Sequence, residues 1–344
     1  MTTPTQHRPG WTWGDGERTI ILREGGLEAV AALLAAAGFA NYALLSTERA
    51  LAAAPAALID AAAEVFPLPP GQVPVLAAGL IDRVGDRDLV GFGGGRVIDT
   101  AKAIAAIGGN GVFAVASTLS GAEMTAFHRL PLGYEAITRV RPRHVLIDPE
   151  LVTSAPEEML RAGAVNALAH AAEALYTPIT NPVAEMAALR GVKLVAAALS
   201  RPREERAAAG ANYDLALGAT LCAYALDSAG YALIHVLCQS TVRVSGAAHA
   251  AVYASLLAPS LEWLGGRAAE QIERFAEALG TDLDGLRPRL DEIAGKRYLL
   301  REIGVRPSHL AAIVALARAR PELASTPNGA PSDADLQAVL AAAW

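Results

Sequence analysis

The sequence predicts two unlike halves, an α/β N-terminal domain built on a parallel sheet and an all-helical C-terminal domain. Three observations predict this. Short β-type runs alternate with helical runs through the first 150 residues. From Pro156 onward almost only helical periodicity remains. A strand–glycine–helix passage, GFGGGRVIDTAKAIA, stands at 91–105 in the first half. The length of 344 residues suits two domains, because single cores stop growing near ~250–300 residues.

In chain order, TIIL (19–22) reads as a strand. Leu27, Val30, Leu33 and Leu34 recur at helical spacing over 26–37, with Gly38 as a stop. YALLS (42–46) reads as a buried strand followed by a helical 47–63. Val65 and Phe66 start a short strand, 72–84 is a weaker helix, and LVGF (89–92) is a strand. A helix runs from about Val97 to Ile107, and VFAVAS (112–117) and HVLI (144–147) complete the strands. Residues 149–155 form the domain boundary, giving domains of 1–152 and 153–344. Helices are expected over 156–175, 182–199, 203–228, 230–243, 248–264, 267–279, 283–295, 308–319 and 333–343. Residues 320–335, with three prolines, read as a surface loop.

Composition excludes several classes. Apolar residues make up 53% and charged residues 19%, which is incompatible with wholesale disorder. A net charge of −6, with no basic stripe, gives no case for nucleic acid. No apolar run approaches the ~20 residues needed to span a bilayer, and the N-terminal stretch MTTPTQHRPGW lacks the apolar region of a secretory signal. The expectation is a cytoplasmic protein. Cys222 and Cys238, in apolar helical surroundings, are expected to be buried reduced thiols.

Two loops suggest a bound anion. The glycines Gly93, Gly94 and Gly95 permit positive φ and close backbone approach, and the following helix N-terminus carries partial positive charge. Arg96 can reach a phosphate or sit in solvent, and Asp99 with Lys102 reads as an i,i+3 ion pair. The second loop, ASTLSGAEMT (116–125), offers hydroxyls from Ser117, Thr118 and Ser120. Polar loops at the C-terminal ends of neighbouring parallel strands form dinucleotide sites. LLSTE (44–48) adds Ser46, Thr47 and Glu48 at a third such end, and an acid there favours NAD over NADP.

Seven histidines divide into two groups. His7, His128, His144 and His309 have polar neighbours and are expected at the surface. His170, His235 and His249 sit in apolar helical sequence. Singly, such a histidine reads as a hydrogen-bonded core residue; three in one domain suit Zn²⁺ or Fe²⁺. Asn166 stacks one helical turn from His170 and brings an amide oxygen without charge. Glu173, three residues after His170, orients that ring or is solvated.

GFGGGRVIDTAKAIA (91–105), STLSGAEMT (117–125), IDPELV (147–152), NALAHAAEALY (166–176), and GYALIHVLCQ with AAHAAVYASLLAP through Pro259 together resemble the iron-containing (group III) alcohol dehydrogenase family, and within it the maleylacetate reductase branch. The resemblance implies a dinucleotide-binding α/β domain, a helical domain and an active site between them. It puts Gly94, Gly95, Asp99, Ser117 and Thr118 at the NAD(P) pyrophosphate and ribose. It puts Asn166, His170, His235 and His249 at a metal, Fe or Zn. The family's usual Asp is Asn166 here, and a further family histidine is Gln239. A family lysine has no match in 125–145, where Arg139 or Arg141 stands in.

The implied chemistry is hydride transfer between nicotinamide and an alcohol or carbonyl, with His235, His249 and Gln239 at the reacting end. A neutral Asn166 among histidines suits a substrate carrying a carboxylate, of the 3-oxo or 3-hydroxy acid type. Alternatives are an oxidative decarboxylase of a β-hydroxy acid, such as the C-terminal threonine of a biosynthetic (RiPP-type) peptide, a catalytically weak binding subunit, and a lyase of the dehydroquinate-synthase-like group. The expected partners are a small-molecule or peptide carboxylate and a second copy of the chain, with neither nucleic acid nor membrane.

Overall fold

The computed structural model describes residues 10–134 and 139–344. Residues 1–9, which include His7 and most of the N-terminal stretch read for a signal, and residues 135–138 of the 125–145 segment lie outside the described residues. The chain forms two compact units. One comprises residues up to Ala155 together with Ala207–Ala216, and the other comprises Pro156–Arg206 and Leu217–Trp344. The stretch 207–216 therefore groups with the first unit, where the sequence reading had it in the second. The expected helix over 203–228 is correspondingly interrupted, forming Arg203–Arg206 and Ala211–Ala229 with Gly210 at φ +67 between them.

Among the described residues the first unit carries a seven-stranded sheet: β1 Trp11–Asp15, β2 Arg18–Leu22, β3 Ala43–Ser46, β4 Glu64–Pro67, β5 Leu89–Gly93, β6 Val112–Ala116 and β7 His144–Ile147. The spatial order is β1-β2-β7-β6-β5-β3-β4. Every pairing is parallel except β1 with β2, an antiparallel edge hairpin that sequence periodicity missed. Strand order reverses between β3 and β5, which pair Ser46 with Phe92. The loops after β3 and β5 therefore flank the switch point, where open α/β sheets bind ligands.

Alternation along the buried strands feeds two cores. Ala43, Leu45, Leu89 and Val112 join Val97, Ala101 and Ile104 of the Gly95–Gly108 helix on one side. Leu44, Val90, Phe92, Phe113 and Val115 join Val30, Leu34 and Phe39 in another cluster. The expected helix over 47–63 is two short pieces, Glu48–Leu51 and Ala56–Asp60, because Pro55 interrupts it. The weaker helix over 72–84 likewise divides, into Val73–Ala78 and Ile81–Val84.

The second unit is helical. Its central element is Glu157–Tyr176, in which 15 of 20 residues are buried, so it is covered on nearly every side. Helices Pro182–Leu199, Leu233–Ser245, His249–Leu264, Ala269–Leu279 and Leu286–Ala294 pack on it. Cys222 and Cys238 are buried free thiols, as expected. Among the described residues no single helix is long and apolar enough to cross a membrane.

Two glycines set one close helix contact. A Cβ on Gly191 would lie 2.8 Å from the Gly218 carbonyl and 2.6 Å from Cys222 Sγ, and one on Gly218 would lie 2.9 Å from the Gly191 carbonyl. Backbone cannot yield cheaply at that range. Gly191→Ala is therefore expected to destabilise the chain by about 2 kcal/mol in urea melts; an unchanged midpoint would refute the close-packing account.

Candidate active site

In the first unit the glycines serve close packing. None of Gly93, Gly94 or Gly95 has positive φ, which corrects part of the sequence reasoning. A Cβ on Gly93 would meet Val97 at 2.7 Å, one on Gly94 would meet Thr118 Oγ1 at 3.0 Å, and one on Gly95 would meet Ser120 Cβ at 3.1 Å. The absence of side chains thus lets the first loop lie against the second. Gly94 is the N-cap of the Gly95–Gly108 helix, and no side chain caps it. Such an end leaves backbone N–H groups and positive partial charge for an anion. Ser117 N donates to Gly93 O at 2.9 Å, closing the two loops together.

Buried cations hold the second loop. Lys102 is fully buried; its Nζ donates to Ala122 O and Phe127 O, each at 2.8 Å, and pairs with Asp99 at 2.8 Å. The expected i,i+3 pair is present, and it also pins the loop. Arg18 Nη1 donates to Met124 O at 2.6 Å. Arg96 is exposed. After β3, Ser46 Oγ donates to Phe92 O at 2.6 Å, and Thr47 Oγ1 caps the Glu48–Leu51 helix by accepting from Ala50 N at 3.2 Å. Glu48 is exposed beside them. The guanidinium of Arg139 lies 5.2 Å over the Phe127 ring.

In the second unit the organising group is Glu173, buried completely. Its Oε1 accepts from Tyr176 OH at 2.9 Å and from the backbone N–H groups of Ala232 (2.9 Å), Ile234 (2.8 Å) and His235 (3.3 Å). Those N–H groups open the Leu233–Ser245 helix, whose N-cap Ala232 has no capping side chain. Glu173 Oε2 hydrogen-bonds His235 Nδ1. The sequence leaves Glu173 either orienting its neighbour His170 or solvated; the fold buries it and gives it to His235 instead. With Nδ1–H donating to the carboxylate, Nε2 of His235 carries the lone pair, and among the described residues it has no hydrogen-bond partner.

His170 stacks on His235, ring centroids 5.0 Å apart. Burial, then the neighbouring His235 and His249, hold its pKa well below the usual imidazole value, so its ring is neutral. Its Nδ1 is buried without a partner. Asn166 is buried one turn away on the same helix. His249 differs from expectation: it is the exposed first residue of the His249–Leu264 helix, its ring 4.7 Å from Tyr253. Tyr253 also meets the His235 ring at 5.0 Å, and burial raises its pKa well above the usual phenol value. Gln239 accepts from Arg320 Nη1 at 3.0 Å, a partner that the surface-loop reading of 320–335 missed. No local sequence signal connects residues that far apart.

Two imidazole nitrogens, His170 Nδ1 and His235 Nε2, have the donor chemistry for Zn²⁺ or Fe²⁺. Among the described residues no group of three or more His, Cys, Asp or Glu side chains is placed to hold a metal ion. The metal set expected from the resemblance, Asn166 with His170, His235 and His249, is thus not closed by its three histidines alone. Three of the four histidines expected at the surface are also partly or fully covered. His128 Nε2 accepts from Val140 N, His144 stacks on Phe113 at 5.6 Å, and His309 is buried against Arg306.

Comparison with known proteins adds three kinds of likeness. Residues 161–344 match the model of the Fe-containing alcohol dehydrogenase family, C-terminal. A maleylacetate reductase of Burkholderia cepacia is 34% identical over 204 residues, 58% of this chain and 57% of its own length, so the chain spans little more than half of that relative. One from Sphingobium indicum is 30% identical over 315 residues, 88% of this chain and 89% of its own. The crystal structure of maleylacetate reductase from Agrobacterium tumefaciens superposes with a TM-score of 0.83 at 26% identity, covering 98% of both chains.

The second loop carries a measurable titration. Glu123 is 4% exposed, and burial pushes its carboxyl from 4.5 up to about 7, against the pull of its backbone hydrogen bond, Lys102 and Ser120. The unfolded chain gives up this proton near 4.5 while the folded chain keeps it to about 7. The stabilisation is complete below 4.5 and is lost as pH rises to about 7. Glu123→Gln is expected to abolish a loss on the order of 3 kcal/mol across that window, read from urea melts stepped through it. Parallel pH curves for the two proteins would refute the assignment.

Proposed function

The chain belongs to the iron-containing alcohol dehydrogenase family, and on that premise we propose that it is a nicotinamide-dependent reductase of 3-oxo acids, similar to the maleylacetate reductases. The observation that carries the reading is the Glu173–His235 pair. It leaves a single buried imidazole nitrogen, Nε2, aimed away from its carboxylate. The likeness to maleylacetate reductases and the neutral Asn166 support a substrate bearing a carboxylate.

The roles divide by unit. In the first, the uncapped Gly94–Gly95 helix start and the hydroxyls of Ser117, Thr118 and Ser120 bind the dinucleotide phosphates. Exposed Glu48 beyond β3 favours NAD through ribose hydroxyls. In the second, His235 moves the proton. Reduction transfers hydride from nicotinamide C4 to the carbonyl carbon, and Nε2–H of the imidazolium delivers a proton to the oxygen. In the reverse direction Nε2 takes the hydroxyl proton. Glu173 stabilises the imidazolium through Nδ1–H, as a buried carboxylate does for a catalytic histidine. Where a divalent cation is held by His170 Nδ1 and His235 Nε2, it would take the place of the Nε2 proton and supply Lewis-acid polarisation of the oxygen. The reading carries with it a cytoplasmic, homodimeric protein.

The deciding assay is NADH or NADPH consumption over a panel of 3-oxo acids, with their 3-hydroxy acids in the reverse direction. Turnover is expected on the 3-oxo acids, and His235→Ala is expected to lower kcat by at least about 100-fold with NADH affinity intact. Wild-type protein that oxidises no NADH or NADPH with any of them would sink the proposal. The amide at Asn166 offers a cation a dipole in place of a charge. Asn166→Asp is therefore expected to tighten Zn²⁺ binding about tenfold in calorimetric titration; equal affinities would remove Asn166 from the ligand position.

A further inference from the structure

Gln239 lies four residues after His235, on the same face of the Leu233–Ser245 helix. Its side-chain oxygen is spoken for. Arg320 Nη1 donates to Gln239 Oε1 at 3.0 Å. A guanidinium has donors and no acceptor, so this contact settles which end of the amide faces it. The oxygen turns to Arg320, and the NH₂ is the end left to face elsewhere.

Arg320 is itself locked in place. Its Nε donates to Glu322 Oε2 at 3.0 Å and its Nη2 to Glu322 Oε1 at 3.0 Å, a two-pronged pair. Nη2 also donates to Tyr231 OH at 2.9 Å, and Tyr231 donates to Glu322 Oε1 at 2.9 Å. The Tyr231 ring lies 5.5 Å from the His235 ring. The clamp therefore abuts the histidine proposed to move the proton. Glu322 already occupies and neutralises the fork of Arg320, which disfavours Arg320 as the direct anchor of a substrate carboxylate.

We propose that Arg320 is a positioning residue that makes Gln239 an obligate hydrogen-bond donor to an oxygen of the substrate. The inference rests on the reductase reading for the identity of that substrate, a 3-oxo acid. Gln239 cannot titrate, so it orients an acceptor oxygen and leaves the proton to His235. A substrate is favoured when it presents a carboxylate or carbonyl oxygen to that NH₂.

The test is a double-mutant cycle read as kcat/KM for 3-oxo acids, with NADH affinity as the control. Gln239→Met is expected to lower kcat/KM about tenfold, the worth of one such bond. Arg320→Met is expected to cost a similar factor alone and nothing further in the Gln239→Met background. Gln239→Glu keeps the contact with Arg320 but has no donor, and is expected to fall as far as Gln239→Met. That variant keeps the test decisive should Arg320→Met fail to fold. Additive losses, or wild-type kcat/KM in Gln239→Glu, would overturn the proposal. Should the wild-type chain reduce no 3-oxo acid, the reductase reading falls, and the clamp is judged by NMR of the Gln239 side-chain amide. Distinct NH₂ signals that collapse to exposed-amide positions in Arg320→Met support it, and unchanged signals overturn it.

Discussion

Glu173 is a carboxylate with no exposed surface, and the geometry of the second unit depends on how it is satisfied. A buried carboxylate is costly unless donors surround it. Here they come from a tyrosine hydroxyl, three backbone N–H groups and one imidazole. The backbone donors belong to a helix start that has no capping side chain of its own. One residue thus caps the Leu233–Ser245 helix, ties it to Glu157–Tyr176 and sets the tautomer of His235. Capping and tautomer selection fall on the same two oxygens, so the helix start and the His235 ring cannot shift independently.

The first unit solves a similar problem with the opposite charge. Its second loop must expose hydroxyls near the first, yet it is irregular backbone with carbonyls turned inward. Lys102 and Arg18 supply the missing donors from beneath. Glycine at 93–95 then provides the clearance that lets Thr118 and Ser120 approach. The inner side of the loops is thus held by hydrogen bonds from buried cations and by close backbone packing.

Much of this was legible along the chain. Parallel strands buried on both faces read as continuous apolar runs, and β2, β3, β5, β6 and β7 lie where such runs occur, while the edge strand β4 shows only as Val65 and Phe66. β1 escaped because WTWGD is a short edge strand with mixed exposure. Proline at 55 divided a helix that periodicity alone had joined. His144 and His309 show the limit of reading burial from neighbours in sequence: polar neighbours say nothing about a phenylalanine or an arginine that folds over the ring.

By itself the sequence determined the alternation of strand and helix, the two polar loops, the apolar helical setting of His170 and His235, and the family these motifs resemble. All of these rest on local periodicity or on residues within one turn of each other. Only the tertiary structure decided that Glu173 serves His235 across 62 positions, that Arg320 holds Gln239 across 81, and that His249 stands exposed at a helix start. Those outcomes depend on how helices pack, and a contact between distant positions leaves no periodic trace in either segment.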